Sequence, residues 1–219
     1  MAAQYTLILG TKNWSSWSMR PWLAMRATGA RFEEIVIGLR TPETRNEILK
    51  YSSGGKVPVL KIEEAGKTAT VFDSLAICET LAERHPQAGL WPDDPNIRAL
   101  ARSYAAEMHS GFMPLRATLP VDIAHSLPTP ELNGEVKADI ARILDAWSEA
   151  LTRYGKNGGF LFGRFSIADC MYAPVVTRFR TYGIELPDIV EAYCARVLAL
   201  PAMGDWIAAA RAEAENGLV

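Results

Sequence analysis

The chain has 219 residues, 49% of them hydrophobic, which supplies the core of one large domain or two modest ones and excludes disordered and fibrous classes. Its 23 Lys and Arg against 25 Asp and Glu give a formal charge of −2 without a long block of either sign, so no nucleic-acid partner is expected. No apolar run reaches the length of a membrane span, and the widely spaced Cys78, Cys170 and Cys194 form no disulfide framework, Cys-x-x-Cys pair or zinc knuckle, so a reducing cytoplasm is the expected setting.

From Met1 the chain passes into the apolar run Tyr5–Leu9 with no basic segment and no Ala-x-Ala site, which predicts a first strand rather than a leader. Helical spacing over Met19–Ala27, an apolar run over Phe32–Ile37 and a polar stretch that reads as loop or helix come next. Val57–Ile62 and Thr70–Phe72 read as strands joined by a polar turn around Gly66, and therefore pair antiparallel; a helix from Ser74 to about His85 follows. Residues 1–85 thus form a small α/β layer. Pro86, Gly89, Pro92, Asp93, Asp94 and Pro95 exclude a regular element and mark 86–96 as a linker. Residues 97–219 are helical in pattern, broken at Pro128–Pro130, Gly155–Gly159, Gly183–Pro187 and Pro201. No internal repeat interrupts this plan.

Three short segments at the ends of these elements have chemical potential. Asn13–Pro21 joins the first strand to the first helix, where free N–H groups and the helix dipole favour an anion. Proline is tolerated without loss only in a first turn, so Pro21 points to Ser18 as the N-cap and leaves Ser15 and Ser16 in the loop, there either to cap and turn or to donate to a substrate sulfur. At Val57-Pro58 the proline opens a strand; most such bonds are trans, while a cis bond would expose the Val57 backbone to an extended peptide. Asp73 and Ser74 are good N-cap residues, and the same helix start could hold a carboxylate.

In order and spacing these segments resemble the cytosolic glutathione S-transferases across essentially the whole chain, most closely the zeta-like and related bacterial serine-type members. Ser15-Ser16-Trp17-Ser18-Met19-Arg20 is similar to the zeta Ser-Ser-Cys-Ser-Trp-Arg segment, with Trp17 replacing its cysteine and Met19 its tryptophan. The resemblance implies a thioredoxin-like N-terminal domain, an all-α C-terminal domain and a homodimer. It implies Ser15 as the residue that hydrogen-bonds the glutathione sulfur, with Ser16 beside it as a second catalytic candidate. Trp17, Lys56, the cis Val57-Pro58 turn, Asp73 and Ser74 are the implied glutathione ligands, and the partner is a small hydrophobic electrophile. A glutathione-dependent isomerase, a peroxidase or a non-catalytic binding protein would share the same site; Trp17 in place of cysteine bears on the isomerase in particular.

Ser166 and Asp169 form a capping box, with Phe165 and Cys170 at staple spacing, and the family carries a buried capping motif at this place. The expected electrophile wall, Met108, Phe112, Met113, Arg116, Arg178 and Tyr182, has a periodicity that suits core packing equally. Trp22 is expected in the core and at least one of Trp14 and Trp17 at the site. His85, His109 and His125 fit surface or helix-terminal positions, Tyr5 a packing role, and no metal-ligand spacing occurs.

Overall fold

A computed structural model describes residues 3–217. The first half contains β1 (Gln4–Gly10), α1 (Ser16–Thr28), β2 (Glu33–Ile37), α2 (Thr44–Leu49), β3 (Val59–Glu64), β4 (Lys67–Phe72) and α3 (Ser74–Arg84). The strand order is β2-β1-β3-β4, with β1 parallel to β2 and antiparallel to β3, and β3 antiparallel to β4. Alternation along β1 sends Leu7 and Leu9 into the main core and Ile8 to the opposite face, against Ile37, Ile48 and Val59. The polar stretch that could be loop or helix resolves into α2, whose Ile48 covers that second face.

The second half is helical: α4 (Pro95–Ser110), α5 (Met113–Thr118), α6 (Gly134–Tyr154), α7 (Ile167–Tyr182), α8 (Asp188–Leu198) and α9 (Pro201–Glu215). α7 is buried along nearly its whole length and packs against α1 and α4, so one core runs through both halves. Trp147 of α6 meets Tyr172, Phe179 and Tyr193 with ring centroids 5.1–5.7 Å apart. At the start of α7, Asp169 accepts from Ser166 N, Ser166 Oγ, Leu161 N and Tyr193 OH, all in the interior. The carboxylate thereby ties α7 to the preceding loop and to α8. Phe165 stacks edge-on with Phe160.

Two boundaries differ from the expected ones. α1 starts at Ser16 with Ser15, not Ser18, as its N-cap, so Pro21 lies inside the helix. Pro21 gives up one backbone bond and crowds the carbonyl one turn back, and the Ser15 side chain, accepting from Ser18 N at 3.2 Å, fixes the earlier start. The linker holds a 3-10 turn over Pro86–Ala88, and α4 begins inside the expected linker because Asp94 caps Asn96 N and Ile97 N and Pro95 sits at the first helical position. No helix among the described residues is long and apolar enough to cross a membrane.

Candidate active site

The carboxyl end of β1 opens into a turn in which Thr11 O accepts Trp14 N at 3.2 Å and Ser15 N at 2.9 Å. The turn delivers Ser15 to the head of α1. Ser15 Oγ donates to Ser18 Oγ at 2.7 Å, and Ser18 Oγ also accepts Gly10 N at 3.0 Å, so the pair of hydroxyls is tied to the strand end. Across from it, Val57-Pro58 is a cis bond immediately before β3, and Val57 lies outside the strand ladder. The third wall is the start of α3, where Asp73 Oδ1 accepts Leu75 N and Ala76 N.

These three chain segments surround a cavity of about 730 Å³, within the range of small-molecule sites. Ser15, Trp17, Lys56, Val57, Pro58, Asp73 and Ser74 line it, so seven of the eight residues singled out from the sequence converge. Ser16 does not. It is buried at the first helical position, with its N–H turned to Trp14 O. Trp14 and Trp17 both reach the cavity, while Trp22 is in the core.

Two features mark this cavity as built for a polar ligand. Ser74 Oγ is buried at the head of α3 without a hydrogen-bond partner; such a hydroxyl costs about 1–3 kcal/mol unless something satisfies it. Asp73 has φ 79°, ψ 133°, a left-handed conformation that costs of order 1–3 kcal/mol in a residue with a side chain and recurs at ligand clamps. A cavity with a peptide edge at Val57, an orphan hydroxyl at a helix start and an acid beside it fits an extended, zwitterionic peptide.

His109, at the end of α4, was expected at a surface or helix terminus. It is helix-terminal as expected, and it also lines the cavity, half-buried, with Nε2 3.1 Å from Asp73 Oδ2 and its ring edge-on to Trp17 at 5.4 Å. No local pattern could have found it, because its partner is 36 residues away on another layer. The six residues expected to form the electrophile wall do not line this cavity. Met108, Phe112 and Tyr182 are core, and Met113 faces solvent.

Arg116 and Arg178 instead join Arg20 in a cluster behind Trp17. The Arg20 and Arg116 guanidinium groups lie 4.3 and 4.9 Å from the Trp17 ring. Arg20 is fully buried, and none of its three guanidinium nitrogens has a partner; Arg116 Nη1 is likewise buried and unpaired. Arg178 donates to Leu119 O at 2.7 Å. Burial, then the neighbouring arginines, push Arg20 well below its ordinary value, and burial pushes Arg178 down to about 9. Since a guanidinium keeps its proton, the direction of these shifts reflects positive charge held away from water, with Asp73 acting only weakly against it at Arg20. Tyr5 is buried as expected, and its hydroxyl also accepts from Arg84 Nε at 3.2 Å. Among the described residues no group of His, Cys, Asp and Glu could hold a metal ion, and the three cysteines are buried and unbridged.

Residues 14–84 match the family described as "Glutathione S-transferase, N-terminal domain", and residues 130–209 match "Glutathione S-transferase, C-terminal domain". A probable maleylacetoacetate isomerase of Caenorhabditis elegans is 34% identical over 101 residues, 46% of this chain and 45% of that protein. The chain thus spans about half the length of the curated relatives it matches first. A maleylacetoacetate isomerase from Anaeromyxobacter dehalogenans, solved with dicarboxyethyl glutathione and citrate in its active site, is 26% identical with a TM-score of 0.67 over 94% of this chain and 91% of its own. A bacterial maleyl pyruvate isomerase, described as a zeta-class glutathione S-transferase, is 25% identical with a TM-score of 0.70 over 93% and 97% of the two chains.

Proposed function

This chain belongs to the glutathione S-transferase family, and from that premise we propose that it binds glutathione in the 730 Å³ cavity and activates the thiol with Ser15. The observation that carries the reading is the convergence of two residues from separate helix starts, Ser15 and Ser74, on one cavity, with the buried Ser74 Oγ left unpartnered. In this reading Asp73 and Ser74 hold the γ-glutamyl end, the Val57 backbone pairs with the cysteinyl unit, and Lys56 and Trp17 flank the tripeptide.

Glutathione supplies a thiol whose unperturbed pKa is about 8.5, so only a few per cent is thiolate at neutral pH. Turning the Ser15 proton from Ser18 onto sulfur leaves Ser18 Oγ, still bonded by Gly10 N, free to donate its own proton to Ser15. The donor therefore changes direction without stranding a hydroxyl. One such bond with the positive end of α1 lowers the thiol pKa by roughly one to two units, each unit about 1.4 kcal/mol. Ser15 donates and is not itself a nucleophile.

The leading activity is transfer of the thiolate to a small electrophile. The cavity's apolar share, from Trp14, Trp17, Leu39, Ile48 and Phe72, suits a hydrophobic one. The arginine cluster favours a second reading, an isomerase acting on an electrophile that carries carboxylates: the thiolate adds to a double bond, the carbon–carbon bond rotates, and the thiolate leaves unchanged. Arg20, fully buried behind Trp17 and outside the cavity lining, would then act on a substrate carboxylate through the field of its charge rather than by contact. Product analysis across hydrophobic electrophiles, peroxides and cis-dicarboxylates separates the readings. A homodimer, the usual assembly of the family, is tested by light scattering; a stable monomer contradicts it.

Calorimetry of glutathione binding to the wild type, Asp73→Ala and Ser74→Ala tests the site. Loss of binding in the variants supports it, and no binding by the wild type means a fold relative without the cofactor. Ser15→Ala is expected to lower turnover about tenfold or more with glutathione affinity largely kept; wild-type turnover in that variant removes the role given to Ser15.

A further inference from the structure

The residues just before Ser15 are held by a helix from the far end of the chain. Glu213, in the last turn of α9, accepts Lys12 N on Oε1 and Asn13 N on Oε2, each at 2.9 Å. Two successive backbone N–H groups converging on one carboxylate form an anion nest. Trp206, also on α9 and fully buried, donates Nε1 to Lys12 O at 3.1 Å. The Lys12 ammonium is engaged elsewhere, on Glu34 Oε2 at 2.6 Å, so the carboxylate is committed to the loop backbone.

A carboxylate in a helix's last turn opposes the dipole, and α9 has no basic residue in that turn. The placement disfavours the helix and is offset by what it holds. Asn13 is gripped from a second side: its Oδ1 accepts Ile123 N and Ala124 N at 2.7 Å each, and its Nδ2 donates to Asp122 Oδ1 at 3.0 Å. The turn closed on Thr11 O passes this anchoring to Ser15.

We propose that Glu213 is a positioning residue for Ser15, so that α9, from outside the cavity, sets the direction of the thiol-activating hydroxyl. The inference rests on the reading of Ser15 as the thiol's hydrogen-bond donor. Hydrogen bonds weaken steeply with misalignment, so a loosened loop costs thiol acidity. The γ-glutamyl contacts come from α3, which Glu213 does not touch, so glutathione affinity is retained. The signature is a change in thiol titration and kcat at nearly constant glutathione Kd.

The test compares Glu213→Gln and Glu213→Ala with Ser15→Ala, titrating the ultraviolet absorbance of the bound glutathione thiolate and measuring kcat and glutathione Kd. Gln keeps one acceptor and turns a donor towards the other N–H; Ala removes both. The thiol pKa is expected to rise by about half a unit in Gln and about one unit in Ala, with Kd within about threefold of wild type. A shift in Ser15→Ala with none in either Glu213 variant overturns the inference, whereas no shift in Ser15→Ala overturns the role of Ser15 beneath it. A parallel loss of affinity and acidity also overturns it, because that is general loosening. If the Glu213 variants do not fold, Trp206→Phe, which removes the bond to Lys12 O, must raise the thiol pKa at constant Kd, and its failure to do so is equally decisive.

Discussion

His109 and Asp73 join the two halves of the molecule across the cavity, with His109 Nε2 3.1 Å from Asp73 Oδ2. Asp73 uses its other oxygen to cap α3, and it is in a left-handed conformation, so the imidazole is the contact that fixes the free face of its carboxylate. His109→Ala is expected to weaken glutathione binding about fivefold, corresponding to roughly 1 kcal/mol for one partly buried hydrogen bond. Calorimetry checks this, and an unchanged Kd would leave His109 with only a packing role against Trp17.

Ser74 separates binding from stability. Its Oγ is buried and unpartnered, so Ser74→Ala removes a polar group that gains nothing in the free protein. The melting temperature is expected to stay level or rise slightly, while glutathione affinity falls by roughly tenfold. A drop in melting temperature with affinity intact would contradict the assignment.

Arg20 allows a sharper version of the same contrast. A fully buried guanidinium without a hydrogen-bond partner, held only against the Trp17 face, is a net cost, and replacing buried charge by apolar side chains of similar volume is often stabilising by about 1–4 kcal/mol. Arg20→Met is therefore expected to raise the melting temperature by several degrees. In the isomerase reading it also lowers turnover of carboxylate-bearing electrophiles by about tenfold or more, and leaves neutral electrophiles less affected. Equal effects on both substrate classes would dismiss the arginine cluster as a carboxylate site.

Asp169 governs stability away from the cavity. Burial raises its carboxyl to about 6, against the opposing pull of the bonds from Leu161 N, Ser166 and Tyr193 OH. A carboxyl raised on folding contributes stability that is full below about pH 4 and is lost as pH rises through about 6. Asp169→Asn removes this titration, so its stability relative to wild type is expected to improve with pH across that window by on the order of 2–3 kcal/mol. Chemical denaturation at several pH values checks the sign. At fixed neutral pH, Asp169→Ala strands several buried donors and is expected to cost about 3 kcal/mol.

Most of the elements, and the segments that come to line the cavity, were legible in the sequence because their signals are local. The apolar run Tyr5–Leu9, the turn at Gly66, proline at Pro58 and the acid-hydroxyl pair at Asp73 and Ser74 each depend on a few neighbouring residues. The α/β and helical halves follow from that order, whereas the expectation that Ser15, Val57-Pro58 and Ser74 share one site came from the family resemblance, and the structure brings them around one cavity. Local rules misassigned the α1 cap, because the cost of a proline inside the helix is offset by the Ser15 cap together with the packing of α1 against α3 and α7. They also gave Ser16 a place in the cavity that its helical position denies. Only the tertiary structure decided the rest. His109 reaches Asp73 from another layer, Arg20 and Arg116 come from α1 and α5 to the same Trp17 ring, and Glu213 grips Lys12 and Asn13 across some two hundred residues. Those contacts arise from how packed helices are oriented, and no spacing within a single element encodes them.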